Sequence, residues 1–406
     1  MAAILYLSYD GLTDPLGPSQ VLAYLKGLSS LGHRISLITF EKPERSAAER
    51  EAMALECRDA GIDWHPQGYT RKPPVLSTLK DLFRMRKVAI DLHRRTPFDI
   101  VHCRSYPPAL VGQAVQRHGA RLLFDMRGFW ADERVEGGLW KLDNPLFATV
   151  YRFFKRKEAQ LLRTSDHIVS LTEAGRDQIL AWRGGDDGPP VTVIPCCTDF
   201  EAFPPVTSGA RSEARALLSI PDEVTVAAYL GSIGTWYMLD EMLDCFAVQL
   251  ERDPGAVLLF VTRDAPGPII GAARKRGISE ESLRIRPASR QEVPAFLAAA
   301  DYGLFFIRPT FSKQASSPVK LGELLALELP VLTNAGVGDM DRIMGEVGAG
   351  VSIVEMDRDG YARGLDALSA LRPDMERWRE ARAHWFDLGE GVRRYDSIYR
   401  ALGGSA

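Results

Sequence analysis

The sequence predicts an α/β protein of two tandem, Rossmann-like, doubly wound domains. Three observations carry this. Short apolar runs alternate with segments of helical period, the pattern of parallel βαβ units. The scheme starts afresh after a proline-bearing loop at Pro204 and Pro205. The chain has 406 residues, 46% of them hydrophobic, enough for two separate cores.

Residues 4–9 form the first apolar strand. A polar loop follows, containing Asp10, Gly11, Asp14 and Gly17. Residues 20–31 carry apolar side chains at helical spacing, and residues 34–40 are the second strand. Residues 100–103, 121–125, 167–170 and 191–194 are further strands with helices between them. In the second half, residues 225–231, 256–262, 283–286, 302–306 and 330–333 are strands. Residues 239–252, 269–276, 292–299 and 319–327 are helices. The last helical segment, 374–402, carries Trp378, Trp385, Phe386, Tyr395 and Tyr399, which need a surface to bury against. The expected domains are 1–200, 201–380, and a helix at 381–406 that packs back on the first. Facing domains of this kind direct their strand C-termini, and so their ligand loops, into one cleft.

Composition narrows the function. Net charge is −3 and the pI is near 6.2, against a nucleic-acid protein that relies on overall basic charge. The front half is mildly basic and the back half mildly acidic. Cys57, Cys103, Cys196, Cys197 and Cys245 are too few and scattered for a disulfide framework, and none forms C-x-x-C. The N-terminus lacks the basic flank of a signal peptide, and no apolar run approaches a membrane span. A cytoplasmic protein is expected. No G-x-G-x-x-G follows the first strand, which disfavours an NAD-dependent oxidoreductase.

The most informative stretch is F-S-K-Q-A-S-S-P-V-K-L-G-E-L-L-A-L-E-L-P-V, residues 311–331. Ser316, Ser317 and Pro318 suggest a hydroxyl-capped helix start leading into Val319. Helix starts offer amides and a positive dipole end to phosphates. Lys320 stands in the first turn, where the dipole prefers an acid, and a bound diphosphate would justify it. Glu323 lies on nearly the same face and could accept from ribose hydroxyls. A capped surface helix with an ordinary Lys and Glu is the plainer alternative.

That stretch resembles the signature of glycosyltransferase family four, retaining enzymes of the GT-B fold. Other segments match in order: L-S-Y-D-G-L-T-D-P-L-G-P-S-Q-V-L-A-Y-L at the first strand and loop, D-H-I-V-S-L-T-E, V-I-P-C-C-T-D, A-A-Y-L-G-S, and R-Q-E-V-P-A-F-L-A-A-A-D. They run from residue 4 to about 345. The resemblance implies a nucleotide-sugar donor on the C-terminal domain. It implies a saccharide or lipid-linked acceptor on the N-terminal domain, in surface polysaccharide or glycoconjugate synthesis. It carries the family's ribose-binding glutamate to Glu323 and the helix-start amides to residues 317–320. It also implies a front-face route in which the leaving phosphate takes the acceptor proton.

Departures from the family pattern matter. Ala315 stands where the family often has a second glutamate, and G-S-I-G-T-W-Y (231–237) lacks the family's basic pair. Lys320 is then the first candidate to compensate, followed by Lys313, Arg308 and Arg263. Gly17 could admit the donor phosphates, or serve a tight turn.

After the strand at 121–125 comes F-D-M-R-G-F-W-A-D-E-R-V-E-G-G, where the family often has a histidine. Asp125, Arg127, Asp132 and Glu133 are the candidate catalytic groups there. A salt-bridged loop with Trp130 in the core is the alternative. Asp10, His102 and Arg104 end strands and are candidate acceptor contacts, although a lone histidine is more often a structural hydrogen-bonder. Cys196 and Cys197 read as small packing residues near the hinge. Asp339-Met340-Asp341 spells D-x-D but reads as a loop entering a helix with Asp339 as its cap, so no metal is expected. Amide dipoles and basic side chains would stabilise the leaving group. Two basic-aromatic segments, 79–95 and 151–163, suit either a solvated face or peripheral contact with anionic lipid. The rival functions are a sugar-nucleotide epimerase of the same fold and a non-catalytic nucleotide-sugar-binding subunit.

Overall fold

The structure is a computed structural model that describes residues 1–404. The chain forms two compact units. Unit 1 comprises Met1–Cys197 and the segment from Leu388 onward; unit 2 is Thr198–Asp387.

Unit 1 is built on seven parallel strands: β1 (Ala3–Ser8), β2 (Arg34–Glu41), β3 (Ile62–Gly68), β4 (Ile100–Arg104), β5 (Arg121–Asp125), β6 (His167–Ser170) and β7 (Val191–Val193). Their order is β3-β2-β1-β4-β5-β6-β7. β1 and β4 are buried along their whole length, as expected of a parallel sheet covered on both faces. The order reverses between β1 and β4, and the crevice above that point is where open α/β sheets bind ligands.

Unit 2 repeats the scheme with β8 (Val226–Leu230), β9 (Val257–Val261), β10 (Leu283–Arg286), β11 (Tyr302–Leu304), β12 (Val331–Asn334) and β13 (Gly350–Ile353). The order is β10-β9-β8-β11-β12-β13, and the reversal falls between β8 and β11. Every paired strand in both sheets is parallel.

Several elements differ from the sequence expectation. β3 and β13 had no counterpart in it; both are sheet edges with half-exposed side chains, so neither shows a continuous apolar run. The helix expected over 20–31 opens with a widened π turn at Pro18–Leu22 before the α-helix Ala23–Ser30. The final segment 374–402 is two helices, Met375–Phe386 and Leu388–Gly403. Asp387 breaks them in an extended conformation. Trp378, Trp385 and Phe386 join the core of unit 2, while Tyr395 and Tyr399 join that of unit 1.

Candidate functional site

In unit 2, the helix Val319–Ala326 begins beside the β8/β11 switch point. Its N-cap position is taken by Pro318, and no side chain caps it, so the expected hydroxyl cap does not form. Pro318 sets the extended entry by its fixed φ instead. Ser316 and Ser317 precede it, partly exposed. Gly322 lets the helix pack closely: a Cβ there would lie 2.7 Å from Thr198 Oγ1.

Lys320 is buried to 6% exposure. Its Nζ has no hydrogen-bond partner. The ammonium instead faces aromatic rings, 3.5 Å from the Tyr237 centroid, 4.0 Å from Tyr229 and 5.6 Å from Phe305. Gly231, at φ +105°, turns the chain directly over it; a Cβ at that position would lie 3.5 Å from Nζ. Burial holds the Lys320 amine well below the ordinary lysine value, against the pull of Glu323 and Asp264. Asp264 fixes the turn by accepting from Ser232 Oγ at 2.8 Å and Ile233 N at 2.7 Å.

Glu323 lies one turn further on, also buried. Arg290 donates to its Oε1 at 2.6 Å and rests over the Phe203 ring at 5.0 Å. Burial raises the Glu323 carboxyl, and Arg290 and Lys320 oppose that rise. Lys320 and Arg290 therefore both act on the Glu323 carboxylate, and Asp264 also lies in the field of Lys320. The other basic candidates are differently placed. Lys313 is buried over Trp236 at 3.9 Å. Arg308 is exposed, and so is Arg263, whose Nε donates to the Ala288 carbonyl at 3.0 Å.

In unit 1, the loop after β1 is held by Glu41, the last residue of β2. Its buried carboxylate accepts from Leu12 N at 2.8 Å, Thr13 N at 3.1 Å, Thr13 Oγ1 at 2.5 Å and Thr39 Oγ1 at 2.6 Å. Asp14 takes Gly11 N and an ion pair from Lys42 at 2.9 Å. Gly17 caps the π turn, and a Cβ there would lie 2.2 Å from Leu12 O. The space its missing side chain leaves is occupied by the loop's own backbone. Asp10 stands exposed at the tip of the strand.

His102, Arg104, Asp125 and Arg127 gather at the ends of β4 and β5. His102 is sealed, with Nδ1 2.7 Å from Tyr399 Oη and Nε2 3.5 Å from Asp125 Oδ2. Burial lowers its pKa, so it is neutral at pH 7. Asp125 also accepts from Tyr395 Oη at 3.1 Å, while its Oδ1 is buried without a partner. Burial pushes this carboxyl up, but Arg127, His102 and Arg104 outweigh it and hold it below the usual range. Arg127, at φ +55°, donates to Cys196 Sγ at 3.3 Å. Asp132 belongs to a different cluster, accepting from Tyr151 Oη and Lys155 Nζ, both at 2.7 Å. Glu133 lies beside it in the short helix Trp130–Glu136, half-exposed.

Asp339 occupies the N-cap position of the helix Met340–Val347 but makes no side-chain cap; Asp341 reaches back to Gly336 N at 3.0 Å. Among the described residues, no group of three or more His, Cys, Asp or Glu side chains is placed to hold a metal ion. Nor, among them, is any helix long and apolar enough to cross a membrane. The helix Leu76–Arg95 exposes Leu76, Leu79 and Phe83 beside exposed Lys80, Arg86 and Lys87.

Sequence reasoning missed Arg290, Glu41 and the aromatic box of Tyr229 and Tyr237. Arg290 opens the R-Q-E-V segment, and Glu41 is an acid at a strand end; both were visible as signals but not as partners.

Residues 18–197 match the family model of the glycosyl transferase 4-like domain. A D-inositol 3-phosphate glycosyltransferase from Saccharomonospora viridis is 28% identical over 228 residues, 54% of this chain and 50% of that protein. The chain thus spans about half the length of that curated relative, and of a further one from Nocardia farcinica, 27% identical, it covers 53%. Among solved structures, sucrose-phosphate synthase from Thermosynechococcus elongatus superposes with a TM-score of 0.76 over 100% of both chains, at 14% identity. Anabaena Alr3699/HepE, solved with UDP and glucose, gives 0.68 over 99% of this chain and 100% of its own, at 12% identity. Residues 18–197, within unit 1, thus carry a glycosyl transferase 4-like domain, and the two Rossmann-like sheets of the chain share the fold of these solved structures.

Proposed function

We propose that the protein transfers a sugar from a nucleotide-diphosphate donor, held on unit 2, to a saccharide or lipid-linked saccharide acceptor held on unit 1. The observation that carries this is Lys320, a buried ammonium without a hydrogen-bond acceptor at a helix start and beside a glycine turn. Aromatic rings compensate such a cation only in part, and a bound anion would complete it. A departing diphosphate supplies that anion, and Glu323 next to it suits ribose hydroxyls. Retention of anomeric configuration is what the family resemblance implies, and Lys320 and the helix dipole would take the developing charge without a metal. The leaving phosphate accepts the acceptor proton. The protein works in the cytoplasm on surface polysaccharide or glycoconjugate precursors. The apolar and basic face of Leu76–Arg95 gives peripheral contact with the membrane where lipid-linked acceptors lie.

The test is thermal stabilisation by UDP, GDP, ADP and CMP, each with and without EDTA. A ligand at 100 times its dissociation constant adds about 2.7 kcal/mol. One diphosphate should stabilise, unaffected by EDTA and weakened in Glu323→Ala. Response to none of them would refute the donor site. A second reading, a non-catalytic nucleotide-sugar-binding subunit, is favoured by Ala315 in place of the family's acid. Donor consumption with product formation in the presence of an acceptor excludes it; donor consumption without an acceptor points to the epimerase.

A further inference from the structure

Arg104 ends β4 at the switch point beside β1, paired in register with Ser8 on one side and Asp125 on the other. Its side chain is buried to 8% exposure, and its Nε is sealed without a partner. No hydrogen bond or ion pair with another described residue engages its guanidinium. A buried arginine is ordinarily paired, because its five donors lose water on burial.

No neighbouring acceptor bonds to it: Tyr395 and His102 use Asp125 Oδ2, and Asp125 Oδ1 takes no hydrogen bond from Arg104 or any other group. Asp125 is shared among Tyr395, His102 and the field of Arg127. Asp10 is the other nearby acid, and it is exposed to solvent. His102 is neutral, and Tyr6, Tyr395 and Tyr399 keep their protons. Arg127 has its own contact in Cys196. Two guanidinium groups thus face one buried carboxylate.

Backbone amides cannot serve an anion here either. The next helix, Tyr106–Gln116, starts Tyr106-Pro107-Pro108, and proline has no N–H. The Ser105 amide is spent on the Asp125 carbonyl at 2.7 Å. Ser105 itself is held at φ +71°, a strained conformation of the kind that gathers at ligand sites.

We propose that the acceptor bound to unit 1 carries an oxyanion, a phosphate ester or a carboxylate, gripped by the Arg104 guanidinium. This rests on the placement of an acceptor on unit 1 and makes Arg104 its specificity-determining residue. The planar fork of arginine suits either oxyanion, in two parallel hydrogen bonds.

The test uses the full chain in the Lys320→Met background, so that anion binding at the helix start of unit 2 is removed. Inorganic phosphate, glucuronate and glucose are titrated by calorimetry. One of the two anions should bind saturably, and which one does distinguishes a phosphate ester from a sugar acid. Adding Arg104→Gln should weaken it by about tenfold to a hundredfold. Arg104→Lys keeps the charge, loses the fork and should bind between the two, so it decides the matter if Arg104→Gln does not fold. In the wild type, the anion should still bind when a nucleoside diphosphate saturates the protein. Three results would overturn the proposal: no saturable binding of either anion, equal binding in Arg104→Gln or Arg104→Lys, or displacement by the diphosphate, which would make Arg104 a donor contact. Loss of diphosphate binding with anion binding intact would instead refute the donor site and leave this one standing.

Discussion

Replacing Lys320 with methionine should move stability and binding in opposite directions. The ammonium sits among three rings, at 3.5, 4.0 and 5.6 Å from their centroids, with no hydrogen-bond acceptor. A desolvated cation–π contact returns about 2 kcal/mol, while desolvating the ammonium costs several kcal/mol. Methionine fills nearly the same volume without the charge. Apolar replacement of buried ionic groups stabilises by about 1–4 kcal/mol, and the ligand-free variant should gain that amount. For a unit of roughly 190 residues, each kcal/mol raises Tm by about 2–4 °C. The same variant loses a charge-assisted hydrogen bond worth about 1.5–3 kcal/mol, weakening nucleoside diphosphate Kd by about 10- to 150-fold. The pH dependence follows from burial, which keeps the folded-state amine below its unfolded value. Between those values the unfolded chain binds the extra proton, so wild-type stability rises with pH up to about 10.4. That slope should vanish in Lys320→Met. Melting curves across pH and diphosphate titrations of both proteins check all three effects. A variant that melts lower without ligand and binds diphosphate as well as the wild type would show that Lys320 is a packing residue, and the reasoning would fail.

Other outcomes follow from the same geometry. Diphosphate binding at about pH 9 should be accompanied by proton uptake at Lys320, read as a buffer-dependent calorimetric enthalpy. Gly17→Ala brings a Cβ to 2.2 Å from Leu12 O, so the loop must move; about 1–3 kcal/mol of stability and at least tenfold in transfer rate should be lost. An unchanged melting temperature would show that the loop has slack. Arg290→Met leaves the Glu323 carboxylate without its partner and should destabilise by about 1–3 kcal/mol, discounted because Arg290 is one-third exposed. Glu323 is already raised by burial and rises further without Arg290, so the deficit should be largest near neutral pH and shrink toward about pH 4 as the carboxyl protonates. Glu41→Gln replaces one acceptor oxygen by an amide donor and should speed hydrogen exchange at Leu12 and Thr13; unaltered exchange would remove Glu41 from the loop's support.

The fold was legible wherever burial on both faces made a strand continuously apolar. β1, β8 and β9 read directly for that reason. β3, with sequence I-D-W-H-P-Q-G, pairs on one side and exposes alternate residues, so its signal is that of a loop. Of the site, Lys320 and Glu323 were legible because they share one helix turn. Arg290 is 33 residues from Glu323, and Tyr237 is 83 from Lys320. Topology brings them together, and no local pattern encodes that. Asp132 illustrates the reverse: its acidic, aromatic neighbourhood looked chemical, but Tyr151 and Lys155 one helix away engage it. His102 likewise ends a strand as a ligand would, yet Tyr399, nearly 300 residues on, closes over it.

The interrupted path of unit 1 bears on how the protein is made. Val392, Tyr395, Ile398 and Tyr399 complete a core that also contains Ala2, Tyr24 and Leu28. These early residues leave the ribosome long before the helix that covers them. The intervening 190 residues, Thr198–Asp387, take about 10–40 s to synthesise at 5–20 residues per second. Throughout that interval the nascent first sheet presents an uncovered apolar face, while unit 2, contiguous in sequence, can close on itself. Late synthesis, rather than early, completes the N-terminal unit, and a ribosome stalled before Leu388 would release a chain whose first half is the aggregation-prone one.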